Sequence, residues 1–339
     1  MDIGTFLLLQ SPGGRPSPEV YARGLEQAQA AEALGYRNVW LAEHHFSTYG
    51  YLSRPLQLAT FIAAKTTRLR VGTAVVVVPL HHPLVVAEEL ATLDVLSGGR
   101  LDVGLGRGYQ RYEFERFGLQ LDADGVRWDE SVDILMKSLE GKPFSYDGKL
   151  FKIPETSLFP KPVQSPPPVW VTAQSPYSLE AAVRRNFNVL TGGFGVPIER
   201  LAEFGRHFKR MLDETKPAQK PLVGVQRAVY VTKDAADARD AAEQARWNMR
   251  VTLSLRNNYE KVENGNAVAL PAKSEPTVDE LLERYLIIGT PDTCVRQIRR
   301  VRELVGISHF NCSFWFGDLS QKRVLDSMEL FAKEVMPAL

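Results

Sequence analysis

One rhythm constrains this chain more than any other feature. Short apolar, β-branched runs alternate with longer stretches of helical period from one end to the other. Eight runs stand out, at residues 3–9, 38–42, 70–78, 101–106, 168–173, 187–192, 222–232 and 308–316. A helix between two neighbouring strands forces them to run the same way, with right-handed crossovers. Eight such units close on themselves and leave no strand edge exposed. With 339 residues, long enough for one large barrel or two ordinary domains, the alternation favours an α/β fold: one (β/α)8 TIM barrel with insertions over residues 1–339.

Helix punctuation supports the reading. In "SPEVYARGLEQAQAAEALGY" Ser17 is the expected N-cap, Pro18 suits the first helical position, Glu19 complements the positive helix end, and Gly35 stops the helix. Pro83 with Gly98 and Gly99, and Thr290 and Pro291 with Gly306, repeat the device. Two segments break the rhythm. Residues 141–168 carry a "YDGK" turn and many prolines, which predicts a hairpin and an extended strap. Residues 258–276 are polar and long for a connector, which predicts a mobile lid.

Charge bears on partners. Lys and Arg number 41 against 40 Asp and Glu, so the overall field attracts neither nucleic acid nor an anionic membrane, and a small organic molecule is the expected ligand. The start "MDIGTFLLLQ" lacks a basic leader, and no run approaches the ~20 apolar residues of a membrane span. A cytoplasmic protein is expected. Cys294 and Cys312 have no C-x-x-C spacing and read as buried thiols in a reducing compartment.

In a parallel barrel, chemistry gathers where the strands end. "VWLAEHHF" closes the second run with Glu43, His44 and His45. Neighbouring side chains there point to opposite sides, so the two histidines have different jobs. An inward His44 suits a general acid or base, while local hydrogen bonding explains both histidines equally well. A zinc site would need further ligands at strand ends; of His81, His82, His207 and His309 only the first two follow a run, and no metal is expected. "DVGLGRGYQRYEF" fails the dinucleotide fingerprint at Tyr109, leaving a glycine-lined backbone with one cation, Arg107. "VTAQSPYSLEAA" opens a helix with Ser175 and Ser178, which reads as a phosphate seat or as an ordinary cap. Arg107, Arg127, Ser175 and Ser178 together could engage one phosphate monoester, and "TGGFG" brings bare backbone to the same rim.

Taken in order, "EHHFSTYG", "VGTAVVVVPLHHP", "LSGGRLDVGLGRG", "WVTAQSPYSLEAA" and "MELFAKEVMPAL" resemble the bacterial luciferase-like flavin-dependent monooxygenases, in particular the luciferase subunit type, essentially end to end. The resemblance implies a barrel that takes reduced FMN as co-substrate, adds O2 to form a C4a-peroxyflavin, and oxygenates a small organic substrate. By position, His44 resembles the catalytic histidine, and Arg107, Gln174, Ser175 and Ser178 the phosphate-binding set, with Arg127 as a second phosphate arginine. Gly106 and Ala173 fall among the cofactor-binding positions, and Ala74 and Val75 match a non-proline cis peptide under the flavin ring. His45, His81, His82 and Glu88 fall in blocks implied to lie at a subunit interface, so a homodimer is expected.

The sequence also departs from the luciferases. Gly106 stands where they carry a reactive cysteine, Gln174 replaces an acid, and the 258–276 connector is abbreviated. Light emission from a long-chain aldehyde is therefore not expected. With no nicotinamide fingerprint, reduced flavin is expected from a separate NAD(P)H:flavin reductase. Two other readings stay open: a coenzyme F420-dependent hydride-transfer oxidoreductase on the same barrel, and a non-catalytic flavin-binding subunit.

Overall fold

All eight runs become strands of one closed cylinder in the computed structural model, which describes residues 1–121 and 125–339. The strands are β1 (Asp2–Leu7), β2 (Asn38–Leu41), β3 (Arg70–Thr73), β4 (Leu101–Gly106), β5 (Val169–Thr172), β6 (Asn188–Gly192), β7 (Val223–Val231) and β8 (His309–Ser313). Each pairs in parallel with its sequence neighbour, and β8 returns to β1. Register aligns Gly192, Gln226, Asn311, Gly4 and Asn38 around one side of the ring. Ligand-facing chemistry must therefore come from the residues that follow these strands.

The third run is not one strand. It breaks after Thr73 at a cis Ala74–Val75 peptide and resumes as Val76–Val77, which pairs with β4. A short strand absent from the sequence reading, Ile287–Gly289, lies along the outer half of β7. Three residues are too few to show a period, so nothing in "YLIIGT" sets it apart from a helix end.

Ser17 does not cap its helix. The helix Ser17–Ala33 takes Pro16 as its N-cap residue with no side-chain cap, because the Pro16 carbonyl accepts from Glu19 N at 3.0 Å and Val20 N at 3.2 Å. Proline fixes the extended φ that a cap residue needs, which moves the helix start one residue earlier than Ser17 would place it. Thr290 does cap, accepting from Thr293 N, and Gly306 takes φ +73° at the far end.

Below the mouth the cylinder is filled. Trp40 and Trp170 meet edge to face at 5.4 Å, both buried, with Leu190 and Phe6 against them. Gly72 makes this possible, since a Cβ there would collide with the Trp40 ring. A packed floor of this kind leaves the strand ends as the open face. Two hairpins lie outside the cylinder: Phe144–Asp147 with Lys152–Thr156, and Lys261–Glu263 with Asn266–Val268. The second hairpin reaches the segment after β2, where Thr48 N donates to the Gly265 carbonyl and Ala267 N donates to Thr48 Oγ1. Among the described residues no helix is long and apolar enough to cross a membrane.

Candidate active site

Strand alternation sorts the residues after β2. His44 continues the inward series and lines a cavity of about 560 Å³ at the mouth. His45 turns away, with Nε2 donating to Glu43 Oε1 at 2.8 Å and its ring against Phe117. The two histidines have separate tasks.

His44 is held through one nitrogen. Its Nδ1 lies 3.1 Å from Glu113 Oε1 and 2.9 Å from the Gln110 amide, and the same carboxylate oxygen accepts from His45 N at 2.8 Å. A carboxylate is the stronger partner, so the proton resides on Nδ1 and the lone pair on Nε2. Among the described residues Nε2 has no hydrogen-bond partner. Glu113 is 2 % exposed and escaped the sequence reading; it comes from the short helix Arg111–Arg116, and only the closed barrel brings it beneath "EHHF".

Glu43 organises the outward side. Oε1 accepts from His45 Nε2 and from His81 Nε2 at 2.6 Å, while Oε2 accepts from Val77 N at 2.8 Å. Burial would raise its pKa, but the hydrogen bonds outweigh burial and hold the carboxyl down at about 2. Glu43, His45 and His81 bring ligand-type atoms within 4.8 Å of one another. The tautomers argue against a cation there. Arg54 Nη1 donates to His81 Nδ1 at 3.0 Å, whereas a metal-bound histidine needs an acceptor at its second nitrogen. His45 and His81, expected at a subunit interface, are thus engaged within their own chain, and His82 caps the helix Pro83–Leu96 through Leu84 N.

Around His44 the cavity wall carries Ala74, Val75, Gly106, Arg107, Gln174, Ser175 and Ser178. Ser175 and Ser178 form a reciprocal capping box on the helix Pro176–Arg184, so both readings of that segment describe one structure: a capped helix start facing the cavity. Gln174 Nε2 donates to the Gly192 carbonyl. Gly106 has no room for a side chain, because a Cβ would run into Val75. Two expected cofactor residues are not on the wall. Ala173 is fully buried, with its N–H donating to the Leu190 carbonyl, and Arg127 lies over the Phe151 ring at 5.8 Å. Residues 122–124 of the lengthened segment before Arg127 lie outside the described residues. The wall instead adds Arg185, Arg200 and Arg256, which no motif signalled.

A smaller chamber of about 130 Å³ adjoins this cavity and shares His44, Ala74, Tyr109, Gln174 and Arg256 with it. Tyr49 and Tyr109 stand in its wall, with Tyr49 Oη 3.1 Å from Thr252 Oγ1 and 3.5 Å from Tyr109 Oη. Burial raises the pKa of both phenols, which stay protonated near neutral pH.

One cavity at the mouth of a closed parallel barrel is thus walled by a histidine held by a buried carboxylate and by a capped helix start. The chain belongs to the luciferase-like monooxygenases, whose family profile matches residues 1–308. It is 28% identical to the oxygenase component of the flavin-dependent trigonelline monooxygenase of Acinetobacter baylyi, over 94% of this chain and 90% of that one. The monooxygenase RslO1 of Streptomyces bottropensis superposes with a TM-score of 0.86 at 25% identity, covering 99% of both chains. An F420-dependent secondary alcohol dehydrogenase shares the fold, with a TM-score of 0.78 at 22% identity over 99% of this chain and 98% of that one.

Proposed function

We propose that this protein is the oxygenase of a two-component flavin-dependent monooxygenase, taking reduced FMN from a separate NAD(P)H:flavin reductase and inserting one atom of O2 into a small organic substrate. The observation that carries the reading is one cavity walled both by a histidine with a free Nε2 and by an anion seat of Arg107, Ser175 and Ser178. Its volume of about 560 Å³ lies within the range of cofactor pockets. The residues fit a flavin mononucleotide. Arg107 and the Ser175 and Ser178 hydroxyls at a helix start suit a phosphate monoester, and Gly106, by letting Val75 lie close against its strand, keeps that wall flat for a ring. When bound, reduced FMN supplies the electrons that activate O2.

The chain's own groups then hold and move protons. Glu113 fixes the His44 tautomer, so Nε2 takes a proton from the reacting site and returns it. Val75 and Val77 give the cavity an apolar side that keeps water away from a reactive oxygen species. The 258–276 segment acts as the lid from the other side, docked through Thr48 with Ala267 packed by Tyr49. The relative of A. baylyi, named as an oxygenase component, supports the two-component arrangement.

Titration of the purified chain with FMN, reduced FMN and F420 is the first test. Tighter binding of reduced FMN, and no flavin reduction when NAD(P)H and FMN are mixed with this chain alone in stopped flow, are expected. Preference for F420 would move the protein to the hydride-transfer reading. Product mass under labelled O2 reports oxygen insertion directly, and binding without turnover would mark a non-catalytic subunit. We further read the chain as a homodimer through the helices Pro55–Lys65 and Pro83–Leu96, where Phe61, Val85, Val95 and Leu96 are exposed. A monomer mass by light scattering at micromolar concentration would refute that.

A further inference from the structure

Four arginines reach the wall of the outer cavity, and three have evident partners or a task in cofactor binding. Arg107 belongs to the phosphate seat. Arg185 pairs with Asp129 at 3.1 Å and Asp133 at 2.6 Å, and Arg200 lies 3.6 Å from Glu203. Arg256 is different. Its half-buried guanidinium has, among the described residues, neither a carboxylate within ion-pair distance nor a hydrogen-bond partner. It lies 5.4 Å from the centre of the Tyr109 ring and lines both the outer cavity and the inner chamber.

The inner chamber has two more unmatched groups. Among the described residues, the Oδ1 of Asn311, itself 2 % exposed, has no partner, and neither has the buried Gln226 Nε2. Both line the chamber, and they are register partners on β8 and β7. Buried amide groups without partners cost free energy, so a chamber that keeps two of them is built for a guest that bonds to them. The carboxylates that line the outer cavity with Arg256 are already engaged, Asp129 by Arg185. Glu113 is taken up by His44 and His45 N, and Glu43 by His45, His81 and Val77 N.

Resting on the flavin reading above, we propose that the substrate is a small ring carboxylate whose acid group is held by Arg256 while a hydroxyl on its ring accepts from Gln226 Nε2 or donates to Asn311 Oδ1 in the inner chamber. The size follows from the volume: about 130 Å³ is close to the ~150 Å³ cavity that takes one benzene ring. The orientation follows from the chamber wall, which carries both Arg256 and His44, with the Tyr109 ring centre 5.4 Å from the guanidinium and 6.2 Å from the imidazole. An acid group on Arg256 therefore leaves the rest of a one-ring molecule beside His44, where the proton chemistry is. Flavin stays in the outer cavity and the guest in the inner one.

4-Hydroxybenzoate, 4-hydroxycyclohexanecarboxylate, 4-hydroxybenzamide and methyl 4-hydroxybenzoate, titrated into FMN-saturated protein and followed by the flavin difference spectrum, test this. The two carboxylates should bind at least about tenfold more tightly than the amide and ester. Arg256→Gln should bring that ratio to about twofold or less, Arg256→Lys should keep most of it, and the FMN Kd should stay within about twofold in both variants. Equal binding of acids and neutral analogues, binding of none of the four, or an Arg256→Gln change that falls on FMN and spares the acid-to-amide ratio would overturn the assignment. Failure of the wild-type chain to bind FMN in the same cuvette would instead sink the flavin reading.

Discussion

At neutral pH the buried Glu43 carboxylate accepts three hydrogen bonds, and its low pKa makes it a stabilising charge. The folded value of about 2 lies below the ordinary 4.5, so this stabilisation is complete above about pH 4.5 and is lost as the pH falls towards 2. It amounts to a few kcal/mol, on the order of 3. Glu43→Gln should lower stability at pH 7 and flatten the dependence between pH 4.5 and 2, measured by urea unfolding across that range. An unchanged slope would mean another group governs it. For His44 and Glu113 the proposed role is in the chemistry instead. His44→Ala should leave FMN affinity within about twofold and cut product formation by about 10²-fold or more. Glu113→Gln places a donor against Nδ1, reverses the imidazole tautomer, and should cost about 10²-fold in kcat with little change in FMN binding. Full turnover in either variant would remove the histidine from the mechanism.

Among the elements, β4 and the segment Ala74–Val77 are fitted to each other across one glycine. A methyl on Gly106 meets Val75, a β-branched side chain with little rotamer freedom. Gly106→Ala should therefore lower stability by about 1–3 kcal/mol and weaken FMN binding, because the slot narrows from one side. Val75→Ala in the same chain should restore both, a coupling that a thermal-unfolding double-mutant cycle reads directly. Additive effects would show that the two residues do not share the slot. The chain's glycine at 106 is thus matched to its valine at 75, a pairing visible only once the fold sets Val75 against β4.

For the whole molecule, the proposed lid is the hairpin Lys261–Val268, tied to Thr48. Replacing residues 260–269 with a short Gly-Ser linker should leave FMN binding and O2 consumption in place and divert most of the oxygen to hydrogen peroxide, measured by a coupled peroxidase assay. Unaltered coupling of oxygen to product would show that the hairpin does not close the site.

How much of this was legible follows from where the information sits. Periodicity, proline starts and glycine stops are local, so the eight strands, their order and the face that carries the site were all readable along the chain. "EHHF" and "VTAQSPYS" announced His44 and the Ser175–Ser178 helix start because each is a short motif at a strand end. Glu113, Arg256, Gln226 and Asn311 carry no such signal. A glutamate in a six-residue helix, an arginine at the end of a long one and two amides in mid-strand look ordinary until ring closure sets them around His44. Sequence alone determined that a cylinder forms and at which end its main mouth cavity opens, since both depend on hydrophobic period and strand polarity. Only tertiary structure decided which charges are left unpaired at that end, since pairing depends on distances between residues far apart in the chain.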